Sequence, residues 1–181
     1  MVATSTALTF QSSSWIKNLL LILMGSLLIA LLAPLSIRLP FTPVPFALGA
    51  HLCLGVGALL GPRRGSLAVL FYLFQGAIGL PVFACGDSGF LHLLGPRGGY
   101  LLGYVVGTYA TGFILEQTKE ATASKILLAL AAGNALIFFF GACQLSLFIG
   151  LPSALLLGVA PFLVTDLLKI VLLTKGLKRS L

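Results

Sequence analysis

Six apolar runs, separated by short stretches rich in Pro, Gly or charge, restrict this chain to a membrane fold. The runs are Lys17–Ile37, Phe46–Leu60, Ser66–Gly79, Tyr100–Leu115, Ile126–Ile149 and Ala154–Thr174. A helix needs about 20 apolar residues to cross a bilayer. Charged residues make up 8% of the chain, whereas soluble domains carry about a quarter. We therefore predict an all-α integral membrane protein with six transmembrane helices.

The cations are distributed unevenly over the two ends of such a bundle. With the N-terminus inside, two cations fall outside, Arg38 and Arg97. Eight fall inside: Lys17, Arg63, Arg64, Lys119, Lys125, Lys175, Lys178 and Arg179. Cytoplasmic loops carry the excess of Lys and Arg, so both termini are predicted to be cytoplasmic. The net charge of +7 then reflects membrane orientation and not binding of nucleic acid. The chain is interpreted as one transmembrane substrate-binding domain, 1–181, with a polar N-terminal segment at 1–17.

A long loop, Leu80–Gly99, joins the third and fourth runs. It contains five Gly and two Pro, but also Phe83, Phe90, Leu91, Leu93 and Leu94. Connections of this length are functional or disordered, and this apolar content is too high for a solvated linker. We predict that the outer loops form an ordered lid over a small-molecule site. A structural plug over helix ends is the alternative.

The last run contains an acid and a base, Asp166 and Lys169, three residues apart and therefore on one helix face. Charges within a membrane segment face a partner or a polar cavity. The nine residues from Asp166 to Lys175 rise about 13 Å, which places the pair in the outer half of the membrane. The pair suits a cyclic urea or a carboxylate; an internal salt bridge that only fixes packing is the alternative. Thr165 is predicted to cap the last helix.

Other polar and aromatic residues are weaker candidates. Asp87 is the only acidic residue expected outside, either as a ligand contact or as a turn residue. Polar residues within apolar runs line a cavity or bond across helices: Gln75, Asn134 and Gln144. Aromatic side chains that can form apolar walls are Phe41, Phe83, Tyr100 and Tyr104. The three Cys and two His residues, with His51 in an apolar run, have no metal-binding or disulfide spacing.

Five motifs resemble, in order and spacing, the BioY family, the biotin-capturing membrane subunits of energy-coupling-factor transporters. They are Pro43-Val44-Pro45, Leu59–Gly65, Gly76–Phe83, Gly95–Tyr100 and Asp166-Leu167-Leu168-Lys169. The resemblance implies six helices, an outer pocket under loop lids, biotin as the transported ligand without a cofactor, and the cytoplasmic membrane of a bacterium. It also implies a transmembrane coupling protein and two ATPase subunits as partners.

The predicted substrate-binding residues combine this resemblance with the candidates above. The family's acidic and basic DxxK residues match Asp166 and Lys169, and its polar loop residue falls at Asp87. The full set is Asp166, Lys169, Asp87, Tyr100, Gly98, Gly99, Phe83, Val82, Phe41 and Gln144.

The chain departs from the family pattern at three places. Gly49 stands where the family has Gln, and Arg97 where it has Thr or Ser, adding an outer cation that meets a carboxylate or faces water. The first helix lacks the family's Ala-xxx-Ala pattern for docking on a coupling protein. Ser26 and Ala30 are its nearest small-residue pair, and we predict that they dock the partner.

The chain has no P-loop motif, so energy comes from partner ATPases or transport is facilitative.

Three other functions remain open on the sequence. The ligand is alternatively another vitamin, such as thiamine or riboflavin. A membrane assembly protein without a ligand is a further class. An intramembrane enzyme would need Ser88 or Ser153 as nucleophile, and no base–nucleophile motif supports it.

Overall fold

The computed structural model describes residues 4–38, 40, 42–118 and 121–179, and for residues 4–14 it describes the backbone alone. The helices within these residues are α1 (Thr4–Leu32), α2 (Gly49–Ala77), α3 (Leu91–Leu94), α4 (Gly98–Glu116), α5 (Ala123–Ile149), α6 (Leu151–Gly158) and α7 (Ala160–Leu177). Two short strands, β1 (Ser36–Ile37) and β2 (Phe46–Ala47), pair in antiparallel fashion.

Four helical stretches of the described chain are long and apolar enough to cross a membrane. They are Trp15–Leu32, Gly98–Glu116, Ala123–Ile149 and Leu151–Leu177, the last combining α6 and α7. The predicted class, a helical membrane protein, is confirmed at this level.

The helix α2 is a hairpin of two shorter helices, because the chain reverses direction at Gly61. This residue has φ 80° and ψ 176°, values outside the helical region. A Cβ atom on Gly65 would lie 2.8 Å from the Cα of Gly57, whereas residues eight apart in a straight helix are separated by about 12 Å. The predicted break at 61–65 is therefore confirmed as a reversal. Its two arms, 49–60 and 62–77, are about 18 and 24 Å long.

Helices α4 and α5 run in opposite directions and lie against each other along their length. Gly103 contacts Ile137, and Gly107 contacts Gly133. Glycines let two helix backbones approach closely, and here they set the spacing of the central pair. Nearer the other end of the pair, the Thr111 hydroxyl donates to the Ala129 carbonyl at 3.2 Å.

Helices α1 and α7 both pack on the first arm of α2. Gly25 lies against Val56 and Leu60 and Ala33 lies near Gly49, which places α1 antiparallel to this arm. In α7, Leu173 lies against Gly55. The end of the bundle that contains β1, β2 and the long loop is called the loop end below. The opposite end contains the Gly61 reversal and the last turn of α7.

Both expected boundaries of the first helix change in the structure. The first run was expected to be helical to Ile37, but α1 ends at Leu32 and Ser36–Ile37 pairs with β2. Three prolines at 40, 43 and 45 keep the connection out of a helix. At its other end α1 begins at Thr4, so most of the predicted polar segment continues the helix.

The predicted helix cap at Thr165 is wrong. Helix α7 begins at Ala160 with Pro161 in its first turn, a position that tolerates the missing N–H group. The Thr165 hydroxyl instead donates to the carbonyl of Phe162 within the helix.

The predicted docking pair on α1 is also wrong. The side chains of Ser26 and Ala30 are 0% and 8% exposed, and both face the protein's own core. The exposed face of the same helix contains Leu27, Leu28 and Leu31. A partner protein therefore cannot reach the small-residue pair.

Substitution at the central helix crossing is expected to destabilise the protein. A Cβ atom on Gly107 would lie 2.6 Å from the Gly133 carbonyl oxygen. Gly107→Ala should lower the stability by roughly 1–3 kcal/mol because the two backbones must separate. Thermal unfolding in detergent measures the change.

The matched control for this prediction is Gly176→Ala in α7, where a Cβ atom meets nothing within 4 Å. It should be neutral or slightly stabilising. Equal melting temperatures for the two variants would contradict the close helix approach.

Candidate functional site

A cavity lies at the loop end among α2, α4, α5 and α7 and under the long loop. Its wall is mostly apolar, and its polar lining side chains are His51, His92, Arg97, Tyr100, Tyr104, Asp166 and Lys169. Small-molecule sites have this mixture of apolar walls and a few polar groups.

The ion pair in the last helix lies at the floor of this cavity. The ammonium group of Lys169 donates to Asp166 Oδ1 at 3.1 Å and to the Ala47 carbonyl at 3.1 Å. It also lies 3.8 Å from the centroid of the Phe46 ring, close enough for a cation–π contact. The predicted pairing on one helix face is confirmed, while its contact with a ligand stays a prediction.

Two further polar side chains approach the Asp166 carboxylate. Asn134 Nδ2 lies 3.5 Å from Oδ2, and His51 Nε2 lies 3.8 Å from Oδ1. Among the described residues, neither ring nitrogen of His51 has a hydrogen-bond partner, and neither does Asn134 Oδ1. We call Asp166, Lys169, Asn134 and His51 the floor cluster. Its unpartnered nitrogen and oxygen atoms can still form hydrogen bonds. The flanking apolar sequence gives no signal that distinguishes His51 from a packing residue.

The mouth of the cavity contains a second ionic group, the rim cluster, centred on Asp87. Its carboxylate accepts hydrogen bonds from Arg38 at 2.8 Å and from Arg97 at 2.9 Å. His92 Nε2 lies 3.3 Å from the same carboxylate. Arg97 and His92 line the cavity and Asp87 does not. The Asp87 carboxylate therefore positions the two groups that face the cavity, and its own contact with a ligand stays a prediction.

Gln144 and the two glycines at the start of α4 fix the long loop and do not line the cavity. The Gln144 amide donates to the carbonyls of Leu93 at 3.1 Å and Gly95 at 2.7 Å. Cβ atoms on Gly98 and Gly99 would each lie 2.7 Å from atoms of Gln144. Glycine at both positions thus lets α4 begin directly against α5. All three residues therefore support the loop, and their predicted contact with the ligand stays a prediction.

The aromatic candidates that the structure describes, Phe83, Tyr100 and Tyr104, all line the cavity. Phe83 lines the cavity and packs edge-on to Tyr72, with ring centroids 5.8 Å apart. Tyr100 also lines it, and its hydroxyl donates to the Gly158 carbonyl at 2.9 Å, where α6 ends. Val82 packs against the apolar core and is not a cavity residue. Phe41 lies outside the described residues.

A second concavity of about 810 Å³ lies between α1, α2 and α7 and is lined mainly by leucines. His51 and Lys169 line both spaces. The two side chains are therefore the wall between the cavity and this apolar groove. No group of three or more potential metal ligands occurs in the described part of the chain.

Comparison with known proteins finds close relatives of this chain. The model of the BioY family matches residues 4–180. The "Probable biotin transporter BioY" of Pyrococcus horikoshii is 35% identical over 74% of this chain and 78% of its own length. The "Biotin transporter BioY" of Thermotoga maritima is 36% identical over 75% and 79%. A solved structure, the S-component for biotin from an ECF-type ABC transporter, superposes with TM-score 0.81 at 28% identity and 92% coverage of both chains.

Removing the charge at the centre of the rim cluster is expected to loosen the long loop. Asp87→Asn replaces a carboxylate held by two guanidinium groups with a neutral amide, which makes weaker hydrogen bonds. Hydrogen exchange of the amides in 83–95 should become faster, while exchange in α5 stays unchanged.

Glu116→Gln, an exposed acid at the opposite end of the bundle, is the matched control and should leave both regions unchanged. Unaltered exchange in the Asp87 variant would mean that the rim cluster does not hold the loop.

Proposed function

This chain belongs to the BioY family, and we propose that it is the membrane subunit that captures biotin for uptake. The observation that carries the proposal is the lined cavity at the loop end, with an ion pair at its floor and an arginine at its mouth. It lies in a fold shared with an S-component for biotin. Transport, and not catalysis, is the proposed activity.

The two ends of the cavity match the two polar ends of biotin. Biotin is a cyclic urea fused to a thioether ring, with a carboxylate at the end of an aliphatic chain. At the floor, the Asp166 carboxylate can accept a hydrogen bond from a urea N–H group. Lys169 uses two of its three ammonium hydrogens on protein acceptors, so the third is free to donate to the urea oxygen. Phe83 and Tyr100 provide the apolar wall between floor and mouth.

The mouth of the cavity is the end that suits the carboxylate. Two arginines surround one aspartate in the rim cluster, so the positive charges outnumber the negative charge. A net positive entrance attracts an anionic ligand and raises its local concentration. Arg97 is the cation that lines the cavity, so we assign the carboxylate contact to Arg97, with His92 beside it.

We further propose a single transmembrane domain of six spans with both termini in the cytoplasm. Arg38 and Arg97 are at the loop end, whereas most other cations are at the opposite end: Lys17, Arg63, Arg64, Lys125, Lys175, Lys178 and Arg179. Lys119 lies outside the described residues. The positive-inside rule assigns the opposite end to the cytoplasm. The loop end, with the cavity, then faces outward from a bacterial cytoplasmic membrane.

The proposed energy source is a partner complex, consisting of a transmembrane coupling protein and two ATPase subunits. The chain has no P-loop for nucleotide binding, and its structural relative is a component of an ECF-type ABC transporter. Since Ser26 and Ala30 are buried, the coupling protein must dock on a different surface.

Biotin binding should depend on the ion pair at the floor. Lys169→Met leaves the Asp166 carboxylate buried without its main partner, which costs about 3–5 kcal/mol when a buried pair is broken. Both biotin affinity and melting temperature should fall strongly. Binding of labelled biotin to purified protein and thermal unfolding measure the two effects.

Lys175→Met is the matched control, since Lys175 lies in the same helix but is exposed at the opposite end. It should retain biotin binding. Failure of the unmodified protein to bind biotin would reject the proposed function, and normal binding by the Lys169 variant would reject the floor site.

Replacing Arg97 should weaken biotin binding more than replacing Arg38, because the carboxylate contact is assigned to Arg97 alone. Arg97→Gln should weaken biotin binding roughly 10- to 100-fold, the usual effect of losing a charged hydrogen bond. Its affinity for biotin methyl ester, which has no charge, should change much less. Parallel titrations with the two ligands measure the difference.

Arg38→Gln is the control, because Arg38 also binds Asp87 but has a side chain that is 64% exposed, against 29% for Arg97. It should affect neither ligand appreciably. A larger loss for Arg38→Gln than for Arg97→Gln would move the carboxylate site to the outside of the loop.

A further inference from the structure

His51 in the first arm of α2 is a buried imidazole that the helix packing leaves without a hydrogen bond. It is 6% exposed, and neither of its ring nitrogens has a partner in the part of the chain that the structure describes. Its nearest charged neighbour is Asp166 Oδ1, 3.8 Å from Nε2. That separation is too long for a hydrogen bond. The protein fold therefore does not satisfy this side chain.

Packing alone does not explain a histidine at this position. Buried polar groups normally find partners, and each one that does not is destabilising. A leucine would fill a similar volume in this apolar helix without that cost. Residues that break a local rule in this way are expected at functional sites.

The surroundings of the imidazole indicate which side its partner approaches from. The ring lies in the wall between the cavity and the apolar groove. On the cavity side it has the Asp166 carboxylate beside it, with the ammonium of Lys169 on the same oxygen. Apart from the ring itself and Lys169, whose ammonium group is bonded to Asp166 and Ala47, the groove is lined by aliphatic residues and Gly55, which offer nothing to orient a polar molecule. A polar partner of the ring therefore lies in the cavity.

We propose that His51 is a ligand-contacting residue that recognises a cyclic urea or amide. A neutral imidazole has one donor and one acceptor nitrogen. With the ring N–H at Nε2, a donor and the acceptor Oδ1 of Asp166 stand side by side. The matching edge of a ligand has an acceptor next to a donor, which is the C=O and N–H of a urea or cyclic amide. This inference rests on the proposed function, and it adds to the floor a residue that recognises the urea carbonyl.

The proposed contact is compatible with the ion pair. A carbonyl oxygen has two lone pairs, so it can accept from His51 and from the third ammonium hydrogen of Lys169 together. Asp166 keeps one lone pair of Oδ1 for Lys169 and the other for the urea N–H. His51 Nε2, Asp166 Oδ1 and the third ammonium hydrogen of Lys169 then all have partners when the ligand is bound.

The experiment compares His51→Leu with His51→Gln in the full-length protein, using biotin as the probe. His51→Leu should weaken biotin binding roughly 10- to 100-fold. The melting temperature without biotin should stay the same or rise, because an unpartnered polar group has been removed. His51→Gln, which keeps an N–H donor on a side chain of similar reach, should recover part of the lost affinity.

The outcomes separate this inference from the proposed function. If the unmodified protein does not bind biotin, the proposed function itself fails. If it binds and the leucine variant binds equally well, only the His51 contact is rejected. A fall in melting temperature without biotin, with no recovery by glutamine, would identify a structural role instead. His51→Met, with a flexible apolar side chain, supplies the same test if the leucine variant does not purify.

Discussion

A carboxylate in a membrane-spanning helix needs a compensating charge, and the pairing of Asp166 with Lys169 meets this need from within the same helix. The ammonium group also binds the Ala47 carbonyl and the Phe46 ring. The pair therefore joins α7 to β2, the strand that precedes α2. The same ion pair thus compensates the two buried charges and holds together the floor of the cavity. Because this pair is buried in a medium of low dielectric constant, removing one charge leaves the other uncompensated and destabilises the protein.

The two ends of the cavity use the same chemistry in different surroundings. At each end one carboxylate positions a cation that faces the cavity: Asp166 holds Lys169, and Asp87 holds Arg97. The floor pair is buried, whereas the rim cluster reaches solvent through Arg38. Exposed ion pairs contribute little to stability and are screened by salt. The mouth can therefore rearrange at low cost while the floor stays fixed, which suits a site that admits a ligand from one side only.

The sequence predicted features that depend on local pattern and missed those that depend on how the helices are rotated. The shared face of Asp166 and Lys169 follows from helical spacing, and the reversal at Gly61 follows from a Gly-Pro pair between apolar runs. In contrast, whether Gln144 faces a ligand or the long loop is decided by the packing of α4 on α5. The same holds for Ser26, which faces the core and not a partner, and for His51, whose role depends on a residue in another helix.

The wall made by His51 and Lys169 sets the depth of the cavity by side chains and not by backbone. Backbone walls change only when helices move, but a wall of two side chains changes when either one adopts another rotamer or is shortened. A shorter side chain at His51 would therefore deepen the cavity without moving a helix. The same change at Lys169 would also break the buried ion pair with Asp166, so the depth of the cavity is independent of bundle stability at one of these positions and tied to it at the other.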